Sequence, residues 1–414
     1  MISVEEARKI ILAEIRRMGT ERVLLSNTLG RVLSEDLLSA LDHPPWDTSA
    51  MDGYAVRWND TAGASRTNPR ILKIIEEIPA GTLPQKKIEP GEASKIMTGA
   101  PVPEGAEAIV KVEETERHGD QVKIFEAADD GDFIRKKGEA IRTGDLILRK
   151  GIRIRPADIA MMASIGRSVV PVYQQPRVAI LSTGDELAEI DEPRGPNKIL
   201  NSNGYGVAAQ VIEAGGLPIN LGIAKDTRED LDKKLRGGLH ADFLIASGGV
   251  SMGDYDFVQE VLMELGAEMK FWKVAMKPGQ PLAFGVIGGK PAFGLPGNPV
   301  SAMVSFEQFV RPALLMAGGR TEVFRPIIQA TLEEEVRKHP GRRHFMRAIV
   351  SVQNGEYRVR TTGDQDSHIL MSLVKANALM ILPEAGNIHK AGEKVAVQLL
   401  SDVAVAGNEL SGLI

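Results

Sequence analysis

From about Pro176 to Gly319 the sequence alternates short apolar runs with amphipathic stretches, and no other feature restricts the possible folds as much. "RVAILSTGDEL" predicts a buried strand and a turn, and "GYGVAAQVIEAGG" a helix closed by a glycine C-cap. "LPINLGIAKD" follows as a strand and "TREDLDKKLRGG" as a helix with Thr227 at its N-cap. Then come "ADFLIASGG" with its helix, the strands "KFWKVAMKPG", "PLAFGVI" and "PAFGLPG", and the long helix "PVSAMVSFEQFVRPALLMAGG". Such repetition predicts a three-layer α/β domain over residues 173–319, built on a mostly parallel sheet. Sheets of this kind hold ligands outside the carboxyl ends of their strands. The polar turns "STGDE", "AKD", "SGGVSMGDYD" and "LPGNP" all fall at that edge.

The remainder reads differently. Residues 41–137 carry short alternating runs, frequent Pro and Gly, and no long helical period, which predicts a β-rich insert. Helical stretches in 1–40 and 138–172 flank it and are expected to pair as one helical or linker domain. Ser3 and Glu6 form a capping box at the start of the first. From residue 320 alternation returns, with one helix near 367–376, and predicts a β-barrel-like domain over 320–414. A chain of 414 residues accommodates several domains. It contains no cysteine, which excludes disulfides, thiolate metal sites and a cysteine nucleophile. A net charge of −5 argues against a nucleic-acid partner. No apolar run approaches the roughly 20 residues of a membrane span. The first helix carries Glu5, Glu6 and Glu14 and precedes no cleavage site, so it does not read as a signal peptide. A cytoplasmic location is expected.

The turn "SGGVSMGDYD" admits two chemistries. "GVSMG" fits the G-x-S-x-G elbow of a serine hydrolase, with Ser251 as nucleophile and Asp364 and His368 following in that order. An elbow serine sits directly after its strand, however, and Ser251 lies beyond Gly248 and Gly249. Alternatively, Ser247, Gly248, Gly249 and Ser251 form a nest of backbone N–H groups for a phosphate, ahead of a helix N-terminus. Asp254 and Asp256 would repel that phosphate unless a cation bridges them, which points to Mg²⁺. Asp185 and Glu186 in "STGDE", and Asp226 in "AKD", add carboxylates at the same sheet edge. Taken singly, each is equally a helix cap or a solvated turn residue.

Cationic residues gather later. Lys273 and Lys277 in "KVAMKPGQP" are four apart, which on a strand puts both on one face, as a seat for an oxyanion. "LPGNPVSA" turns a strand into a helix through Pro296 and Pro299, leaving the first helical N–H groups free. "GRRHFMR" supplies Arg342, Arg343 and Arg347, and "GDQDSHI" places Ser367 at a predicted helix N-cap. "DHPPWDTSAMDGYAV" and "IMTGAPVPEGA" compress turns around Asp52 and Thr98 without naming a reaction. Zinc-protease, Walker A and Rossmann patterns are absent, and the histidines lack ligand spacing.

"PPWDTSAMDGYAV", "KIMTGAPVPEGA", "AILSTGDEL", "SGGVSMGDYD", "VAMKPGQPLAFG" and "FGLPGNPVSA" occur in that order. Over nearly the whole chain this series resembles the molybdopterin molybdotransferase, or molybdenum insertase, family, to which the C-terminal domain of gephyrin is similar. The resemblance implies an elongated four-domain subunit in a homodimer, combining an α/β domain with β-rich domains. It implies Mg²⁺-dependent insertion of molybdate into adenylylated molybdopterin with release of AMP. The adenylyltransferase that acts just before it is an implied partner. By the same resemblance, Asp52 and Thr98 would reach in from the partner subunit, and Glu186, Asp226 and Asp256 would hold Mg²⁺ or the phosphate region. Lys273, Lys277, Arg347 and Ser367 would seat molybdate beside the turns of Pro296 and Pro299. Two positions depart from the family pattern: Ala140 stands where an acid is frequent, and Gln280 where a lysine is. A tungstate-inserting relative, a serine hydrolase and a non-catalytic scaffold are the alternatives.

Overall fold

The computed structural model describes residues 1–192, 195–249 and 257–401. Helix α1 (Val4–Glu14) opens the chain, and Ser3 Oγ accepts the Glu6 N–H at 3.1 Å, as the capping signal predicts. The chain divides into two compact units, one formed by Glu35–Lys150 with Pro156–Val169 and the other by the remainder.

The first of these is built on a six-stranded sheet. Its strands are β1 (Gly53–Val56), β2 (Arg70–Ile78), β3 (Glu92–Ile96), β4 (Ala108–Lys111), β5 (Thr115–His118) and β6 (Gln121–Ile124), in spatial order β4-β1-β3-β2-β6-β5. Tyr54, Val56, Leu72, Val110 and Val122 close its core on one face, and Ala55, Ile78, Ile96 and Ile109 on the other. The short helix α2 (Pro156–Ser164) belongs to this unit.

The second unit contains the predicted α/β sheet. Its strands are β7 (Arg177–Thr183), β8 (Leu217–Ala224), β9 (Phe243–Ser247), β10 (Ala267–Phe271), β11 (Ala283–Ile287) and β12 (Lys290–Leu295). They lie in the order β8-β7-β9-β12-β11-β10, the first four mutually parallel and β11 antiparallel to both its neighbours. Every residue of β9 is buried, as expected of a parallel strand covered on both faces. Helices α3 (Ser202–Glu213), α4 (Arg228–Gly238), α5 (Phe257–Glu264), α6 (Pro299–Ser305) and α7 (Arg311–Ala317) supply the cover. Val4, Ala7 and Ile11 of α1, Val207 and Val211 of α3 and Phe309 share one core with Val178, Ile245 and Phe293. Leu231 and Leu235 of α4 and Val258 and Val261 of α5 pack on Ala179, Leu181 and Leu244 from the other side. Three layers result.

Beyond them, β13 (Ile327–Leu332), β14 (Arg343–Gln353), β15 (Glu356–Thr361), β16 (Ala378–Leu382) and β17 (Lys394–Leu399) follow, with helix α8 (Met371–Lys375) before β16. Pairings β14-β15-β13-β17-β16-β14 close a small barrel. No helix among the described residues is long and apolar enough to cross a membrane.

Local expectations meet mixed outcomes. Helix α3 ends in the predicted glycine: Gly215 has φ +84°, its N–H reaches the Ile212 carbonyl and that of Gly216 the Val211 carbonyl, both at 2.9 Å. That is a Schellman closure. Thr227 stands at the N-cap of α4, but its side chain makes no capping bond. The last long helix is interrupted by a π turn, Phe306–Val310, between α6 and α7. "KFWKVAMKPG" is not one strand: β10 stops at Phe271, and a separate two-residue strand, Met276–Lys277, pairs with β14.

Gly215 and Gly319 share a left-handed backbone but not a neighbourhood. Nothing lies within 4 Å of a Cβ built on Gly215, whereas one on Gly319 would come within 2.1 Å of the buried Tyr173 ring. Gly215→Ala should cost about 1 kcal/mol, and Gly319→Ala about 3 kcal/mol or more, in urea unfolding midpoints.

Candidate active site

Four turns converge where the parallel strands end. Ser182, Thr183, Gly184 and Glu186 close β7, Asp226 follows β8, Ser247–Gly249 close β9, and Pro296–Pro299 lead from β12 into α6. With Asn201 and Asn203, and Lys277–Pro281, Arg342 and Gln365–His368 opposite, they line a cavity of about 900 Å³. That is large enough for a nucleotide-sized ligand.

The turn after β9 is glycine by steric necessity. Gly248 has φ +94°, and a Cβ there would approach the Thr183 carbonyl oxygen to 2.5 Å. At Gly249 it would lie 2.7 Å from Val258 Cγ2. The predicted nest is incomplete, however, because the Gly248 N–H already donates to the Leu295 carbonyl at 3.1 Å. Ser251, Asp254 and Asp256 lie outside the described residues. Ser247 is buried, and its hydroxyl accepts a bond from Asn203 Nδ2 at 2.9 Å. The same nitrogen donates to the Gly297 carbonyl at 2.8 Å, fixing the β9 and β12 turns together. Asn201 caps α3, its Oδ1 accepting from Gly204 N–H at 3.0 Å and from Ser182 Oγ at 2.8 Å. Both asparagines stand in "LNSNGYG", a capping signal sequence reasoning passed over.

Among the carboxylates, Glu186 and Asp226 line the cavity. Asp185 and Asp226 each accept the other's backbone N–H at 3.2 Å, which holds the β7 and β8 turns side by side. No group of three or more potential metal ligands is gathered among the described residues. Two carboxylates beside a roomy cavity still fit Mg²⁺, which takes one or two such ligands and completes its shell with water and ligand phosphate.

The cationic residues separate. Lys277 is exposed and lines the cavity; Lys273 does not, and its half-buried position belongs to the irregular stretch before the Met276–Lys277 strand. The two lysines therefore do not share a strand face. Arg342 lines the cavity and donates to Gln280 Oε1 at 2.7 Å, so glutamine here anchors an arginine. Arg347 is 1% exposed. Its Nε donates to Ser372 Oγ at 3.0 Å, and burial pulls its pKa down to about 10. It lines a neighbouring cavity of about 460 Å³ that shares Lys277, Pro278 and Gln365 with the first. Ser367 lines the main cavity but caps no helix, since α8 begins at Met371 with Leu370 at its N-cap. Its carbonyl instead accepts the Val300 N–H at 3.2 Å, so that N–H of α6 is not free. Asn298, the N-cap of α6, makes no side-chain capping bond.

Asp52 and Thr98 belong to the other unit. Thr98 donates through both its N–H and its hydroxyl to Asp52 Oδ1, each at 2.7 Å. These bonds hold the Asp52 carboxyl below its ordinary pKa.

Comparison with known proteins gives a consistent result. Residues 2–166 match the family described as MoeA N-terminal region (domain I and II), residues 179–316 the probable molybdopterin binding domain, and residues 329–400 the MoeA C-terminal region (domain IV). The chain is 40% identical over 390 residues to molybdopterin molybdenumtransferase 2 of Mycobacterium tuberculosis, covering 93% of this chain and 96% of that one. It is 38% identical over 409 residues to molybdopterin molybdenumtransferase of Bacillus subtilis, covering 97% and 94%. The crystal structure of a molybdopterin biosynthesis MoeA protein from Pyrococcus horikoshii OT3 superposes with a TM-score of 0.82 at 32% identity, covering 96% and 100%.

His344, on β14 beside Lys277, is 3% exposed, and its Nε2 is buried without a hydrogen bond. Burial, then the charges of Lys338, Lys277, Arg342 and His339, pull its pKa down to about 4. An unfolded histidine titrates near 6.5, so between about pH 6.5 and 4 the unfolded chain binds a proton the folded chain does not. Stability contributed by neutral His344 is therefore lost as pH falls through that window. Between pH 7 and 4.5 the wild type should lose roughly 2 kcal/mol more than His344→Gln in urea unfolding.

Proposed function

Because the chain belongs to the molybdopterin molybdenumtransferase family, we propose that it inserts molybdate into adenylylated molybdopterin, releasing AMP and leaving the molybdenum cofactor. One observation carries the reading in this chain's own residues. One cavity at the strand ends is lined both by Lys277 and Arg342, from the segment that pairs with β14 and the residue before β14, and by Glu186 and Asp226, from the turns after β7 and β8, together with the close-packed glycines after β9.

The substrates explain that lining. Molybdate is a tetrahedral dianion, and a guanidinium and an ammonium suit it without demanding one geometry. Lys277 and Arg342 would hold it and offset the charge of the adenylate beside it. Gly248 and Gly249 line the cavity at the β9 turn, where the phosphate chain would lie. The bonds of Asn203 and Ser247 keep that turn in place, so orientation needs no rearrangement during reaction. Glu186 and Asp226, with Asp256, would hold Mg²⁺, which when bound neutralises phosphate charge and polarises the phosphoanhydride. The dithiolene of the pterin supplies the sulfur that binds molybdenum, so a cysteine-free protein is sufficient. We include in the proposal a homodimer, in which Asp52 and Thr98 come from the second subunit, a hand-over from the preceding adenylyltransferase, and a cytoplasmic location.

The test is AMP release from adenylylated molybdopterin by purified protein. Release should require both molybdate and Mg²⁺, and Lys277→Gln should slow it by roughly 10²-fold. Glu186→Gln and Asp226→Asn should raise the Mg²⁺ concentration needed for half-maximal release. Release that ignores molybdate and Mg²⁺ would overturn the reading. Tungstate in place of molybdate measures a choice that anions of equal charge and shape leave to the protein.

A further inference from the structure

Away from the strand ends the same unit contains another cavity, of about 510 Å³, that the proposed reaction does not use. Five arginines line it: Arg31, Arg153, Arg311, Arg320 and Arg325. Among the described residues Glu213 is the one acid in its wall. Arg31 pairs with Glu21, and Arg325 with Glu213 at 2.8 Å and with the buried Glu307 at 2.7 Å. Arg311 Nε is buried and makes no hydrogen bond, the nearest carboxylate oxygen being Glu307 Oε1 at 3.8 Å. Among the described residues the guanidiniums of Arg153 and Arg320 have neither a hydrogen bond nor an ion pair, and Glu322 attracts Arg320 only at longer range.

The fold forces this crowding. Arg311, which lines the cavity, directly follows the π turn Phe306–Val310, whose buried Glu307 lies 3.8 Å from its Nε. Gly319, at φ +89°, then turns the chain so that Arg320 joins the wall. Gly30 leaves space for Arg153, whose Nη2 would stand 3.6 Å from a Cβ there. The arginines feel one another. Burial lowers the pKa of Arg320, with Arg153 adding to the effect, and burial lowers that of Arg311, with Arg325 and Arg320 adding. Like charges gathered in a concavity destabilise the protein unless something neutralises them. Among the described residues three carboxylates, Glu21, Glu213 and Glu307, stand within ion-pair distance of these five guanidiniums, and none of them reaches Arg153 or Arg320.

We propose that this cavity is a second anion site that binds a phosphoanhydride, a chain of two or more phosphates. Arginine forks match phosphate oxygens two at a time, and the volume exceeds what a lone phosphate needs. Two unneutralised guanidiniums call for at least a dianion.

Inorganic pyrophosphate is the probe, titrated calorimetrically into the full chain. Because the strand-end cavity is also cationic, the control is Lys277→Gln/Arg342→Gln, which should keep one pyrophosphate site. Arg153→Gln/Arg320→Gln should weaken that site at least roughly tenfold while AMP release stays as in wild type. In phosphate-free buffer this double variant should melt no lower than wild type, and only wild type should gain Tm with pyrophosphate. Pyrophosphate binding abolished by the Lys277/Arg342 changes and untouched by the Arg153/Arg320 changes would overturn the proposal. So would weakened self-association of the Arg153/Arg320 variant in sedimentation, with unchanged pyrophosphate binding. In that case the arginines meet carboxylates of a second copy.

Discussion

A two-residue ladder holds the candidate site together. Met276 and Lys277 pair in parallel with Arg343 and His344, the first residues of β14. The Arg343 N–H also donates to the Ala275 carbonyl at 2.9 Å, and Val274 bridges to Ile2 at the start of the chain. This short seam is where the barrel strand meets the segment leaving the α/β sheet. It decides that Lys277 faces the strand-end cavity, that Arg342 sits beside it, and that His344 lies buried behind both. A lysine on a freely ending loop would lose much of its attraction for an anion to side-chain and backbone entropy. Pinned by a ladder, it costs less to immobilise.

Polar bonds, rather than apolar packing, then fix the remaining wall. Arg347 is among the largest fully buried side chains, and its surroundings are hydrogen-bonding groups. Gln365 accepts from the Arg347 N–H at 2.9 Å and donates to its carbonyl at 3.1 Å, tying the loop that carries Ser367 and His368 to β14. Arg347 reaches Ser372 and the Asp366 carbonyl from inside. A buried guanidinium so placed specifies one loop geometry, because any other leaves a charge without partners. Its contribution to the cavity is positional, and Lys277 and Arg342 present the charge.

How much of this the sequence discloses depends on the range of the interaction. Strand–helix alternation, the α3 capping glycine and the Ser3 cap are local, and the structure realises them. The polar turns fall at the strand ends because a parallel sheet brings every second chain reversal to one edge. Readings that failed assumed a local partner where a distant one won. Thr227 caps nothing through its side chain, and Ser367, read as a cap, instead offers its carbonyl to Val300. The Lys273–Lys277 spacing implies a shared face only in continuous β structure, and pairing with β14 replaces that strand by a two-residue one. Arg347 reads as an oxyanion-binding cation in "GRRHFMR", and nothing in the local sequence says that barrel closure buries it.

The glycine turn shows why the site needs both kinds of wall. Its first N–H is spent on Leu295, and a side chain at either glycine would strike Thr183 or Val258. Those glycines therefore serve close packing of β9 against β7 at least as much as anion binding. Under them Thr183 Oγ1 is buried without a hydrogen-bond partner, an acceptor or donor held at the base of the turn. With the backbone nest reduced, attraction for an anion falls to Lys277 and Arg342 across the cavity, and the carboxylates of Glu186 and Asp226 oppose it from the near side. A site that places like charges against its ligand on one wall and opposite charges on the other binds an anion well only when a cation sits between. On the proposed function that cation is Mg²⁺, and the ligand's affinity would be tied to it more tightly than in a fully cationic pocket.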